Sequence, residues 1–380
     1  MVPSWYQNEK NSILGSFFRE QALALTKRGH KVWVADATYQ PFDNIRSPRM
    51  LKLCKYKDEA LETFSYIAPA VGIARTASGG VNWYYRRLKK IYKRMVKEGI
   101  SIDVIQAHSF YPAGTASLRL SREFNIPLVV TEHNSLVLRE KIHPKRISAL
   151  RDVVEHSGKF VCVSEALKKA VKNLTNTEKE ILVIPNSVDS SLEFINRKAQ
   201  GSITFVSVGN LISGKRFDLT LRAFAKAKES IEDARLLIVG DGVLREELIK
   251  LSKNLGISSA VTFTGRVSRE EIGKIYNEAH IFVLPSDAET FGVVYIEALA
   301  CGCPVIATRN GGAEEIVNED RGILVDKDDE KQLSDAMVSM YERYSSFDLK
   351  RLSEDCLGEF GEDVLSKRTE DVYRQVLSCK

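Results

Sequence analysis

Residues 285–317 read PSDAETFGVVYIEALACGCPVIATRNGGAEEIV. An apolar run, Ile281–Leu284, leads into Pro285, a short loop follows, and a helical pattern begins near Phe291–Val293. In an open parallel sheet, ligands bind in the crevice beyond the carboxyl ends of the strands. A helix starting there points its free N–H groups and the positive end of its dipole into that crevice, which favours an anion. Gly292 removes the side chain that would hold a phosphate away from the backbone. Glu289 lies on the loop and Glu297 one to two turns into the helix, too far apart to share one proton or one metal. Two separate tasks suit them better, such as gripping a sugar and gripping vicinal ribose hydroxyls, which a carboxylate accepts well.

Working outward, short apolar runs alternate with helical patterns along the whole chain. The expected strands are Lys31–Ala35, Val104–Ala107, Leu128–Thr131, Phe160–Val163 and Ile181–Ile184, then Ile203–Val208, Arg235–Val239, Val261–Thr264, His280–Leu284 and Pro304–Ala307. Helical patterns between them include Ser16–Arg28, Glu165–Asn173, Asp218–Lys228, Leu244–Leu255 and Arg269–Glu278. This alternation, twice over, predicts two α/β domains, each with a doubly wound parallel sheet. The changeover falls in Pro185–Ser202, where Asn, Ser, Pro and Gly interrupt the pattern. The first domain is drawn as 1–188, joined by a C-terminal helix of about 362–380, and the second as 189–361. The segment Glu359–Lys380 reads as helical, with Val364, Tyr373 and Val376 available for packing. One strand is missing: the first helix begins near Gly15, and Met1–Ser4 is too short to open a sheet. The expectation is an N-terminal truncation rather than a sheet one strand short.

Composition narrows the function. With 380 residues, 44% hydrophobic and 28% charged, the chain has soluble, globular composition. No apolar run approaches the length that spans a bilayer, and the N-terminus lacks the pattern of a signal peptide. Six cysteines make no C-x-x-C pair, so a reducing cytosol is expected. Cys301-Gly302-Cys303 reads as small residues in a tight turn. Residues 1–190 carry 30 Lys and Arg against 18 Asp and Glu, a balance of +12, while the remainder carries 25 against 32, or −7. The basic excess gathers in Arg86, Arg87, Lys89, Lys90, Lys93, Arg94 and Lys97, around a packing stripe of Tyr84, Leu88, Ile91 and Met95. This is either a solvated helix face or a surface for anionic membrane. No nucleic-acid module accompanies it.

Two competing motifs fail on their chemistry. Gly209-x4-Gly214-Lys215-Arg216 nearly spells a P-loop, but its last position needs Ser or Thr to hold magnesium. His108, His133 and His143 match no metal-ligand spacing; His133 reads as shaping a pocket, and His143, before Pro144, as marking a turn.

With these residues in view, Glu289-x7-Glu297 in its context resembles the signature of the retaining glycosyltransferase family 4, the group 1 glycosyl transferases. The likeness continues through VGNLISGKRFDLTLRAFA (208–225), LLIVGDGVLREEL (236–248) and VTFTGRVSREEI (261–272). Earlier in the chain it includes GSFFREQALALTKRGHKVWV (15–34), IQAHSFYPAG (105–114), VCVSEALKKAV (161–171) and VIPNSVD (183–189). The resemblance implies the GT-B fold: two Rossmann-like domains facing across a cleft, with a nucleoside-diphosphate sugar held mainly by the C-terminal one. It implies that Glu297 binds the donor ribose and Glu289 the transferred sugar, with Phe291, Gly292 and Val293 offering backbone N–H groups to the diphosphate. Lys215 would neutralise the departing diphosphate, Gly15 would let the first-domain loop approach it, and His108 would line the pocket near the reacting carbon. Arg266 and Val267 stand where the family holds the base.

The chain departs from the family at Asn210, where Arg is usual, and at Arg216, where Gly is usual; Arg216 is expected to compensate in leaving-group departure. Ser187 replaces another usual Gly, with little expected consequence. The implied activity is retaining transfer of a hexose-type sugar from a UDP- or GDP-sugar to an acceptor hydroxyl, without a metal or other cofactor. The acceptor would be a saccharide or lipid-linked saccharide of a bacterial envelope polysaccharide (capsule, O-antigen or exopolysaccharide), reached from the cytoplasmic face of the membrane. Two alternatives stay open: a nucleotide-sugar epimerase of the same fold, and a catalytically degenerate nucleotide-sugar-binding protein.

Overall fold

The computed structural model describes residues 1–6, 15–40, 49–69, 77–195 and 202–378. The chain divides into two compact units, Met1–Ser187 with Glu362–Lys380, and Val188–Gly361.

The first unit opens with β1 (Val2–Pro3), α1 (Ser16–Lys27) and β2 (Trp33–Asp36), followed by the short strands β3 (Tyr39–Gln40), β4 (Cys54–Asp58), β5 (Leu61–Ser65) and β6 (Ala68–Pro69). It continues through α2 (Ala77–Lys97), β7 (Ile105–His108), α3 (Thr115–Phe124), β8 (Leu128–Glu132), α4 (Ser135–Leu138), α5 (Pro144–His156), β9 (Lys159–Cys162), α6 (Glu165–Thr175) and β10 (Ile181–Val183). Five parallel strands stand in the order β1-β7-β8-β9-β10. The opening strand that the sequence reading finds missing is therefore there, shortened to two residues. Val2 and Pro3 register with Ala107 and His108. On the other side, Ala35 N donates to Met1 O at 2.8 Å, so β2 follows β1. Two hydrogen-bonded flanks make a strand out of a stretch too short to be recognised alone. Beyond β2 lie β5, parallel to it, and β4, antiparallel to β5.

The second unit holds β11 (Thr204–Val208), α7 (Phe217–Ala227), β12 (Arg235–Val239), α8 (Arg245–Asn254), β13 (Val261–Gly265), α9 (Arg269–Glu278), β14 (Ile281–Leu284), α10 (Val293–Ala300), β15 (Val305–Thr308), β16 (Gly322–Val325), α11 (Glu330–Arg343) and α12 (Leu349–Phe360). Its six strands are all parallel, in the order β13-β12-β11-β14-β15-β16. Every residue of β14 and β15 is buried, as expected of strands covered on both faces. The chain winds outward from β11 one way and then returns to start beside it with β14. The crevice between those two strands is the topological switch point.

The last helix, α13 (Glu362–Ser378), belongs to the first unit. Its Leu365, Val372 and Val376 pack with Val129, Val161 and Ile184 of the sheet. This corrects the expected packing stripe: Val364 is exposed, because the helix starts after Gly361 rather than continuing from 359, which turns Leu365 inward instead. Tyr373 and Val376 do pack there. The hairpin β4–β5 was not anticipated either, since Lys55 and Lys57 give the outer strand no apolar run.

Candidate functional site

Two chain segments leave the strands that flank the switch point of the second unit. After β11 come Gly209, Asn210, Leu211 and Ile212, then one tight turn, Ser213–Lys215, and Arg216 at the start of α7. Gly240 lies so close behind that a Cβ there would stand 2.0 Å from Gly209 O. After β14 come Pro285 to Thr290, with Phe291 buried and Gly292 at φ 96° opening α10. A Cβ on Gly292 would also sit 2.4 Å from the Tyr295 ring, so both conformation and space require glycine.

The two segments are tied together. Asp287 N donates to Gly214 O at 3.0 Å, and Lys215 Nζ reaches Glu289 Oε1 at 2.5 Å. A third segment braces the loop from behind: Glu289 N donates to Asn310 O at 3.2 Å, while Asn310 Nδ2 donates to the Tyr295 hydroxyl at 2.8 Å. The GG pair at 311–312 follows from this, because a Cβ on Gly312 would meet Phe291 O at 2.2 Å. Among the described residues, the backbone N–H groups of Phe291, Gly292 and Val293 have no hydrogen-bond partner. They open beside the Lys215–Glu289 pair, so the site combines a cation, a carboxylate and a helix N-terminus.

Arg216 adopts the left-handed conformation, φ 52°. Its guanidinium is held by Asp218 at 3.3 Å, by Asp287 at 3.5 Å and by Asp328. Asn210 is exposed. Glu297 is half-buried on the second turn of α10, and the Tyr276 hydroxyl donates to its Oε2 at 3.1 Å. Burial pushes the Glu297 carboxyl above its ordinary range, opposed by nearby Arg269 and by the Tyr276 hydrogen bond. Arg269 is itself paired with Asp189 at 2.6 Å. Arg266, exposed at the end of β13, has Nε 4.0 Å from Asp241 Oδ2, and Val267 beside it is half-buried.

In the first unit, Gly15 opens α1 at φ 75°, and a Cβ there would stand 3.0 Å from Trp5 O. His108 ends β7 fully buried, its ring 4.5 Å from that of Phe18. Its Nδ1 meets His133 Nε2 at 3.1 Å, and its Nε2 has no partner among the described residues. Burial keeps both imidazoles neutral, pushing His108 well below its ordinary range and His133 down to about 3. His133, rather than His108, lines the adjacent cavity with Gln21, Gln106, Thr131, Asn186 and Thr369; its volume of about 20 Å³ suits one water. His143 caps α5, its Nδ1 accepting from Lys145 N at 3.2 Å.

Glu132 was not singled out from the sequence. It is fully buried, takes Phe110 N at 2.7 Å on one oxygen, and takes His133 N and Asn134 N at 2.8 and 2.7 Å on the other. It therefore fixes the ends of β7 and β8 that carry the two histidines. A carboxylate closing an apolar strand, in TEHN at 131–134, was the available signal.

The basic helix needs one correction. Arg87 is buried: its Nη2 donates to Ala37 O at 2.8 Å and its guanidinium lies 4.3 Å over the Tyr39 ring. It falls on the packing side of α2, beside Leu88, so it is no surface cation. Lys89 pairs with Glu123 at 2.5 Å and Arg94 with Glu98 at 2.6 Å. Arg86, Lys90, Lys93 and Lys97 are exposed, as is Trp83. Among the described residues, no helix is long and apolar enough to cross a membrane.

Comparison with known proteins bears on both units. The model for Glycosyltransferase Family 4 matches residues 14–192, and that for Glycosyl transferases group 1 matches residues 189–352. The chain is similar to N-acetyl-alpha-D-glucosaminyl L-malate synthase of Bacillus anthracis, 26% identical over 291 residues that make up 73% of this chain and 76% of that protein. Among solved structures, it is similar in fold to sucrose-phosphate synthase from Thermosynechococcus elongatus, with TM-score 0.78 and 20% identity over 96% of this chain and 94% of the other. It is also similar to HepE of Anabaena in complex with UDP-glucose, with TM-score 0.73 and 15% identity over 100% and 99%. The fold shared with these structures is GT-B.

Proposed function

Because the chain belongs to the group 1 glycosyl transferases of glycosyltransferase family 4, we propose that it is a retaining enzyme moving a hexose-type sugar from a UDP- or GDP-sugar to an acceptor hydroxyl. The observation that carries this reading is the Lys215–Glu289 pair beside the unpartnered N–H groups at the start of α10. A ligand bringing both an anion and hydroxyls answers every part of that arrangement. The diphosphate takes Lys215 and the backbone N–H groups of 291–293, while Glu289, released from the lysine, accepts from hydroxyls of the sugar. Glu297 takes the ribose. A similar fold that holds UDP-glucose supports a nucleoside-diphosphate donor.

In the reaction, the bond from the anomeric carbon to the diphosphate oxygen breaks, and its electron pair leaves with the diphosphate. The acceptor oxygen bonds to the same face of the sugar, and its proton passes to the departing phosphate. Fixed dipoles and Lys215 stabilise the charge that grows on the leaving group, in place of a metal. Arg216 assists once it lets go of its aspartates. The first unit would take the acceptor, a saccharide or lipid-linked saccharide of an envelope polysaccharide. Arg86, Lys90, Lys93 and Lys97 would rest on anionic lipid at the inner face of the cytoplasmic membrane, at roughly 1 kcal/mol per cation.

The test is a thermal-shift panel of UDP-, GDP-, ADP- and dTDP-sugars on the wild-type chain and on Glu297→Ala. A ligand at 100 times its Kd stabilises by about 2.7 kcal/mol. A rise in Tm with one nucleotide class, lost in the variant, is expected. No rise with any of them would overturn the reading.

A further inference from the structure

Glu297 owes its orientation to a residue outside the donor signature. Tyr276, on α9, is fully buried and tightly held. Its ring lies 6.1 Å from that of Phe282, and its carbonyl accepts from Cys303 Sγ at 3.0 Å. Backbone and ring are thus both fixed, and the hydroxyl has one direction in which to donate, to Glu297 Oε2 at 3.1 Å. The other carboxylate oxygen, Oε1, has no partner among the described residues. A half-buried carboxylate with one oxygen satisfied and one open is a directed acceptor, whereas one with neither fixed would turn about its last torsion or take up a proton.

We propose that Tyr276 is a positioning residue for ribose recognition: it occupies one oxygen of Glu297, presents the other to the vicinal hydroxyls of the nucleotide, and thereby sets this chain's preference for ribo- over 2′-deoxyribonucleotides. The proposal rests on reading the second unit as the donor site. It assigns no contact between Tyr276 and the ligand. Arg269, paired with Asp189 on the same side, helps keep Glu297 ionised but is engaged elsewhere. The phenol is therefore the group that fixes the geometry.

Calorimetric titration with UDP and GDP and with their 2′-deoxy and 3′-deoxy forms tests it, on the wild-type chain, Tyr276→Phe, Glu297→Ala and the remote control Tyr84→Phe. The wild type and Tyr84→Phe should favour the ribonucleotide by about tenfold or more, the worth of one hydrogen bond to a charged group. Tyr276→Phe should cut that preference by about threefold to tenfold through weaker ribonucleotide binding, with deoxynucleotide affinity unchanged. Glu297→Ala should abolish the preference. Should Phe at 276 lower the Tm, Glu297→Asp, which draws the carboxylate back from an intact Tyr276, must give the same loss of preference. A variant at 276 that keeps the preference, or loses ribo- and deoxynucleotide affinity in equal measure, overturns the proposal and leaves the donor site standing. A wild-type chain that binds no nucleoside diphosphate overturns the donor-site reading itself.

Discussion

Lys215 Nζ lies 2.5 Å from Glu289 Oε1, although 74 positions separate the two residues in the chain. Each follows one of the two strands that flank the switch point, so the pairing is a product of sheet order. With the lysine side chain 23% and the glutamate 13% exposed, the pair is shielded enough to hold its geometry and open enough to exchange partners.

Removing the cation should show in the chemical step. Lys215→Ala is expected to lower kcat by about 10²–10³, the usual cost of one fixed charge-stabilising donor, with a smaller loss in Lys215→Arg. Sugar transfer and donor hydrolysis report it; turnover within twofold of wild type would mean that the diphosphate is neutralised elsewhere.

Arg216 should matter less than Lys215, because its guanidinium already faces Asp218, Asp287 and Asp328. Arg216→Ala is expected to slow turnover by several-fold and Arg216→Lys to recover part of it. A kcat unchanged in the alanine variant removes Arg216 from leaving-group departure.

Nucleotide binding should weaken on acidification earlier than an ordinary carboxylate would require. Burial raises the carboxyl of Glu297, and the ribose is accepted by its ionised form. As pH falls through that raised value the acceptor is lost, so affinity drops above the usual glutamate range. Glu297→Gln should flatten this limb of the Kd profile; an equal acid loss in that variant assigns it to another group.

Charge reversal separates surface from core on α2. Arg86→Glu with Lys90→Glu and Lys93→Glu should release the chain from anionic vesicles in co-sedimentation while its Tm holds. Arg87→Glu should instead lower the Tm, because a carboxylate would replace a buried cation at the Ala37 carbonyl. Vesicle binding unaffected by the triple reversal would exclude this face.

The anchor of α13 makes a prediction about stability. Arg28 holds Glu370 at 2.6 Å and His30 adds a contact at 3.1 Å, which lowers the Glu370 carboxyl to about 2. A depressed folded value stabilises above the unfolded value, near 4.3, and the gain is lost as pH falls toward about 2. Glu370→Gln should therefore melt several degrees below wild type at pH 7, with the gap narrowing below about pH 4 and closing only toward about pH 2. A gap as wide at pH 2 as at pH 7 would mean the carboxylate charge is not what matters.

Much of this was legible in the sequence because the information is local. A strand such as Ile281–Leu284 is apolar throughout because both its faces are covered, and the glycine at 292 is demanded by its own φ. What escaped depends on distant partners. Val2–Pro3 becomes a strand only through β7 and Ala35; Arg87 looks like its neighbours on α2 until Tyr39 covers it; Glu132 gains meaning only when Phe110, His133 and Asn134 converge on it. The register of α13 turned on a break at Gly361, where a Cβ would meet Leu357 O at 2.4 Å.

The second unit begins and ends in one place. Val188 N donates to Phe360 O at 2.9 Å, and Val188 bridges Gly361. The chain therefore enters and leaves this unit through a single doorway, as an inserted domain does. Residues 188–361 should therefore tolerate excision as one piece, because their two ends already lie side by side. The first unit has no such freedom. A cut at residue 187 that discards everything downstream also discards α13, stripping Leu365, Val372 and Val376 from the sheet they cover. Its minimal form is a fusion of two distant pieces, 1–187 and 362–380, across a short designed link.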